Sequence, residues 1–279
     1  FKQKTAYEIM PSLVGSEMCI RDRSRLMPVC IITGQAFSDV NENEKHRELC
    51  LRFGYNSRFR AVCYVLTQHL CGKPCVLASM PPMKHIRGIG MSDGAWADLC
   101  AHKFDYVNTF LHREPQLDIC DSSQALSYQN LDFIISSDVF EHIPPRPGLS
   151  AAFSNLYGML RPGGTLIFSV PYSNGSHLGE HYPDLCNYRV DMSTRTLHNT
   201  TAGGQSQVFR DLVFHGGEGA TLEMRVFSKS SVLSFLQSAG FVDIHFHAVT
   251  KDMEEHGIFW HSDDSYVISA KTRSAAGLA

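Results

Sequence analysis

The sequence predicts an α/β fold, a mostly parallel sheet of about seven strands with helices on both faces. Three observations carry that expectation. From about residue 84 onward, strand-like and helix-like stretches alternate along the chain. Two of the strand-like stretches, LDFIISSDVF and TLIFSVPY, are nearly unbroken apolar runs, the pattern of strands buried on both faces of a parallel sheet. The stretches between them carry apolar residues at three- and four-residue spacing and stop at glycine or proline.

The chain opens on KQKTAYEIMPSLVGSEMCIRDR (residues 2–23), which has no helical or strand period and no signal-peptide layout. KQKTAYEI and LVGSEMCIRD back-translate into the adapter DNA of a sequencing library. Residues 1–23 are therefore read as a translated adapter on a metagenomic gene fragment, and the natural protein is expected to be a longer chain that begins upstream of Ser24. Residues 24–80 form an N-terminal appendage. In it, GYNSRFRAVCYVLTQHL reads as a helix from about Ser57, with Phe59, Val62, Cys63, Leu66 and Leu70 on one face. Cys30-x-x-Thr33-Gly34 and Cys50-x-x-Phe53-Gly54 look like two half-knuckles of a zinc ribbon, each without its second cysteine. Structural zinc wants four ligands, so a degenerate, metal-free ribbon is expected. Cys71 and Cys75, with His69 nearby, fit no ribbon spacing.

Met80-Pro81-Pro82-Met83 breaks the chain, and residues 81–279 read as the main domain. HIRGIGMS is a strand ending in glycines, DGAWADLCAHKF a helix, DYVNTFL a strand and QLDICD a short strand. LDFIISSDVF is a buried strand, GLSAAFSNLYGMLRPGG a helix with a Pro-Gly-Gly stop, and TLIFSVPY a second buried strand. Residues 173–226 are an insert rich in glycine and histidine, with two short β-like runs around a His-Gly-Gly turn in HGGEGATLEMRVFS. SKSSVLSFLQSAGF is a helix between a Ser228 cap and Gly240. FVDIHFHAV and SYVISAKT are two last strands at an antiparallel edge.

Charge and composition narrow the partners. With 25 basic and 28 acidic residues the net charge is −3, so bulk charge implies no nucleic-acid or anionic-membrane surface. No apolar run approaches the ~20 residues that span a bilayer. The nine cysteines are scattered through strands and helices, which favours reduced thiols and a cytoplasmic location over a disulfide framework.

Ligands of parallel sheets bind at the carboxyl ends of the strands. One strand ends in Gly88-Ile89-Gly90-Met91-Ser92-Asp93-Gly94, where glycines serve either close approach to a ligand or only the turn. Another ends in SSDVFEHIPP, with Ser136, Ser137 and Asp138 at the tip and Glu141 and His142 one turn on. That tip, the following helix and LRPGGTLIFSVPY resemble the second half of class I S-adenosylmethionine-dependent methyltransferases of the type 11 kind. There, S-x-D/E-V-x-E-H precedes a helix and L-x-P-G-G. The resemblance covers about residues 84–172 and 228–271 and is more specific in its second half.

The resemblance implies a Rossmann-like fold and S-adenosylmethionine as cofactor. The family's D-x-G-x-G-x-G loop falls on Gly88, Gly90, Ser92 and Gly94, so glycine stands in the acidic position and serine in the middle one. Asp93 offers a replacement contact to the methionine part. Asn108 stands nearest the usual ribose carboxylate, Asp118 matches the acid beside adenine, and Ser137 and Asp138 match the tip beside the sulfonium. Methyl transfer needs a base only for a protonated acceptor, and His142, His181 and His215 are the candidates; His142 either caps and packs or does this work. Tyr172, just before the insert, and Tyr182 and Arg225 within it are the expected substrate contacts, the insert being placed to cover the acceptor. Asp138, Glu141 and His142, with His215 distant in sequence, have metal-ligand chemistry, but the Glu-His pair recurs in the family without metal, so no metal is expected. The expected activity is O-methyl transfer to a small polar acceptor, such as a sugar or saccharide hydroxyl. The alternative is a non-catalytic module that keeps the fold within a larger protein.

Overall fold

A computed structural model describes residues 27–36, 55–94, 96–144, 146–175, 177–215, 221–260 and 264–274. The adapter-like segment 1–23, the half-knuckle at Cys50 and the Gly-Gly that follows His215 lie outside the described residues.

Helix α1 (Ser57–Cys71) begins at Asn56, whose side chain accepts from the Phe59 N–H at 2.9 Å, and ends at Gly72 with φ 73°. Then follow β1 (Met83–Met91), α2 (Ala97–Lys103), β2 (Phe104–Thr109), the single turn α3 (Ser122–Ala125) and β3 (Leu131–Ser137). A 3-10 turn over Phe140–His142 leads to α4 (Arg146–Met159) and β4 (Leu160–Ser169). The insert holds short strands: β5 (Tyr172–Ser173), β6 (Gly179–Glu180), β7 (Asn187–Asp191), β8 (Thr196–Thr200), β9 (Ser206–Phe209), β10 (Phe214–His215), β11 (Thr221–Leu222) and β12 (Arg225–Ser228). Helix α5 (Lys229–Ala239) has a capping box between Ser228 and Ser231, and Gly240 closes it at φ 100°. Strand β13 (Val242–Phe246), α6 (Lys251–Glu255) and β14 (Ile268–Lys271) complete the chain.

The central sheet has six strands in the order β13-β14-β4-β3-β1-β2. Strands β1 to β4 run parallel, and β14 lies antiparallel between β4 and β13. Both faces are covered, as the apolar runs predict. On β3, Phe133 and Ile135 join Ile167 of β4 in a core with Val62 and Leu66 of α1, Cys100 of α2 and Met253 of α6. Ile134, Leu166 and Phe168 point the other way, into a core with Phe153 and Leu156 of α4 and Val232 and Leu236 of α5. Cys30, Ile31 and Ile32 enter the first of these cores, so residues 27–36 pack with the main sheet.

Two expectations change. QLDICD forms no seventh strand among the described residues, only a bridge between Phe110 and Gln116. Side chains take the backbone donors a strand would pair: Gln124 accepts from the Asp118 N–H and Asp118 from the Cys120 N–H, both at 2.8 Å. LRPGG is not a helix stop. The helix ends at Met159 and β4 already includes Pro162, Gly163 and Gly164. A β-carbon on Gly164 would sit 2.8 Å from the Leu131 carbonyl, where the β3–β4 register shifts, so glycine permits the bulge.

Candidate functional site

Strand β1 pairs with β2 on one side and β3 on the other, so the order reverses there, and in parallel sheets the carboxyl ends of the strands at such a reversal are where a ligand crevice is expected. The residues after β1, at the end of β2 and after β3 would line it.

After β1, Ser92 holds a left-handed φ of 57° and its N–H donates to the Thr109 carbonyl at 2.8 Å. Asp93 follows, buried, with its Oδ2 taking the Tyr106 hydroxyl proton in a short hydrogen bond. Burial pushes its carboxyl up to about 6, partly offset by that hydroxyl. A β-carbon on Gly90 would overlap both the Asp93 carboxylate and the Tyr106 hydroxyl, so glycine makes room for the pair. Asn108 does not present a free amide: its Oδ1 accepts from the Asp93 N–H and its Nδ2 donates to the Asp93 carbonyl, each at 2.9 Å. It braces the loop instead of reaching for a ribose. Gly88 sits farther down β1, against the Phe133 ring, and serves packing rather than a ligand. Asp118 Oδ1 accepts from the Cys120 N–H in the turn described above.

After β3, Asp138 also has a left-handed φ, 52°. Its N–H donates to the Ser169 carbonyl at 3.0 Å, its Oδ1 accepts from the Ser169 hydroxyl at 3.2 Å, and its Oδ2 is paired with Arg58 of α1. Glu141, one turn on, is wholly buried; its two oxygens have no hydrogen-bond partner, and burial raises its carboxyl to about 7.

The insert is stapled over this tip by its last residues. The Met224 N–H donates to the Glu141 carbonyl at 2.8 Å, and His142 Nδ1 lies 2.7 Å from the Leu222 carbonyl. Because a carbonyl only accepts, Nδ1 carries the proton and Nε2 is left as an acceptor; burial lowers the pKa of this imidazole. Arg225, 1 % exposed, donates to the carbonyls of Phe140 and Ile143 and pairs with Glu180 at 3.2 Å. The β10–β11 hairpin thereby sets His215 above β3. Its Nε2 is 3.4 Å from Asp138, and its Nδ1 is 3.2 Å from Glu223 and 3.7 Å from Glu141. Glu223 also receives His181 Nε2 at 3.0 Å.

The structure therefore gathers Asp138, Glu141, His142, His181 and His215, and adds Arg58 and Glu223. Nothing in SRFR marks Arg58 from sequence, and the only hint of Glu223 is its alternation with Arg225. The expected substrate contacts all have partners within the protein. Arg225 is spent on the staple. Tyr172 is buried, with its hydroxyl accepting from the Tyr266 N–H at 3.2 Å. Tyr182 is buried in the insert's own core with Leu185, Leu197, Leu222 and Met224, and its hydroxyl accepts from the Val213 N–H at 2.6 Å.

Residues 89–168 match the family model described as "Methyltransferase domain". No curated protein sequence matches the chain. Among solved structures, the sugar N-methyltransferase KedS8 of a Streptoalloteichus species is 14 % identical with a TM-score of 0.45, over 87 % of this chain and 96 % of that one. The 1,6-didemethyltoxoflavin-N1-methyltransferase of Burkholderia thailandensis is 13 % identical with a TM-score of 0.43, over 98 % and 93 %. A methyltransferase of Clostridium acetobutylicum is 12 % identical with a TM-score of 0.40, over 68 % and 84 %. At these scores none of the three says what this chain acts on.

Proposed function

We propose that the chain, whose residues 89–168 match the methyltransferase-domain model, is a class I S-adenosylmethionine-dependent enzyme that transfers a methyl group to a hydroxyl oxygen of a small polar acceptor, with a sugar or saccharide as first choice. One observation carries the placement. Buried polar atoms without a hydrogen-bond partner include Asp93 Oδ1 and Trp96 Nε1 after β1, and Ser136 Oγ, Ser137 Oγ and both Glu141 oxygens at and after the end of β3. Buried polar groups are nearly always satisfied, so such a collection fits a polar ligand that completes them.

S-adenosylmethionine suits these residues. Asp93 Oδ1 offers an acceptor to the ammonium of its methionine part, and the serine hydroxyls and Asp138 lie at the tip of β3. The cofactor supplies an electrophilic methyl on a sulfonium; the chain's task is to align the acceptor and take up its proton. We assign the second to His142. The Leu222 carbonyl fixes its ring and leaves Nε2 to accept the hydroxyl proton.

The test is S-adenosylhomocysteine release from S-adenosylmethionine over a panel of monosaccharides and their amino analogues. Release with hydroxyl sugars, lowered about 10²- to 10⁴-fold in His142→Ala with cofactor affinity kept, is the expected result. Release with amino sugars alone would move the acceptor atom to nitrogen. Tight cofactor binding with no turnover on any acceptor would favour the non-catalytic module, a reading that the engaged amide of Asn108 already gives some footing.

A further inference from the structure

The polar cluster over the tip of β3 has a composition that proton transfer alone does not need. Asp138, Glu141 and His215 each offer a ligand atom, and all three atoms lie within 4.8 Å of one another. They come from two separate parts of the chain, the turn after β3 and the β10–β11 hairpin, brought together by the staple. Glu141 is the decisive member. Its side chain is fully buried, neither oxygen has a hydrogen-bond partner, and Oε1 lies 3.7 Å from His215 Nδ1 and 3.9 Å from His142 Nε2. A carboxylate in that setting requires a proton or a cation.

We propose that Asp138, Glu141 and His215 hold a divalent first-row cation at the acceptor end of the crevice. One imidazole and two carboxylates suit Mn²⁺ or Zn²⁺ and leave coordination positions open. Metal bonds of about 2.1 Å put neighbouring donors about 3–3.5 Å apart. His215 Nε2 and Asp138 Oδ2 already stand 3.4 Å apart, and the Glu141 carboxylate has to close in by about an ångström to complete the set. The surroundings match a metal-bound histidine. A ligating imidazole usually gives its other N–H to a carboxylate, and His215 Nδ1 faces Glu223 Oε2 at 3.2 Å while His181 holds the other Glu223 oxygen. Arg58 on Asp138 supplies counter-charge that the entering cation exchanges for its own.

The role of the ion rests on the methyl-transfer reading: an open position takes the acceptor hydroxyl, and the cation lowers its pKa so that His142 removes the proton more readily. The site itself is tested without cofactor or acceptor, so the two readings fail separately. The 279-residue chain, stripped with chelator, is dialysed against Mn²⁺ or Zn²⁺, the bound metal is counted, and Mn²⁺ is followed by electron paramagnetic resonance. The expected result is one ion per chain, with affinity reduced more than tenfold in Glu141→Gln and in His215→Ala, and unchanged in Asp243→Asn at the far edge of the sheet. His215 is partly exposed, so its variant keeps the test open if Glu141→Gln does not fold. Binding well below one ion per chain, or binding that survives in His215→Ala, would overturn the proposal.

Discussion

Gly90 is a position where one hydrogen atom decides the site. The Asp93 carboxylate and the Tyr106 hydroxyl occupy the space a β-carbon would need. Gly90→Ala is therefore expected to lower stability by about 1–3 kcal/mol and to weaken cofactor binding at least tenfold, read by chemical denaturation and titration calorimetry. Asp93 gives a pH signature. Its carboxyl, near 3.8 when the chain is unfolded, is pushed to about 6 by burial in the fold. The native state thus holds the proton more tightly, and stability falls as pH rises from about 4 to about 7, by up to ~3 kcal/mol. Asp93→Asn lacks this slope. Subtracting urea unfolding curves of the two proteins at matched pH isolates it, and a difference that stays flat across the window would refute the buried carboxylate. At this scale the sequence did not show which protein atoms the loop residues meet. Gly88 lies under Phe133, and Asn108 is bonded to Asp93, because which atoms meet depends on strand register, which one strand's residues do not encode alone.

Among the elements, the staple between Leu222–Arg225 and the turn after β3 matters most to function. It carries the hairpin that bears His215 and the residues around Glu223. Arg225 anchors it with a buried guanidinium on two carbonyls and Glu180. Arg225→Met removes the buried guanidinium from the Phe140 and Ile143 carbonyls and from Glu180 and is expected to cost about 3–5 kcal/mol. Hydrogen exchange at the Met224 and His181 amides, which close the staple, should accelerate ahead of global unfolding. Exchange unchanged at those amides would show that the hairpin docks by other means. Periodicity made α1, α5 and the buried strands legible, down to the Ser228 cap and the Gly240 stop. It failed at QLDICD, where Asx-type bonds took the backbone donors, and at LRPGG, where glycines served a strand bulge rather than a helix end. The two runs flanking His215 were readable as β, but their docking onto Glu141 was not, because it depends on hydrogen bonds between segments some eighty residues apart.

For the molecule as a whole, the arrangement is a sheet with a core on each face and an insert with a small core of its own. The alternation of apolar runs was enough to anticipate the layers, since both faces of β3 and β4 are buried. It also anticipated that the strand order reverses within the parallel part of the sheet, since parallel strands place their ends on one side and the order reverses at β1. The insert's short strands carry too little pattern to be placed from sequence. The central claim is that the unsatisfied polar atoms at the strand ends bind S-adenosylmethionine. Titration calorimetry of S-adenosylmethionine and S-adenosylhomocysteine into the chain tests it most directly. The account predicts one site of micromolar affinity, weakened at least tenfold by Asp93→Ala and by Asp138→Ala. A chain that is folded by circular dichroism, yet takes up neither compound, would contradict it.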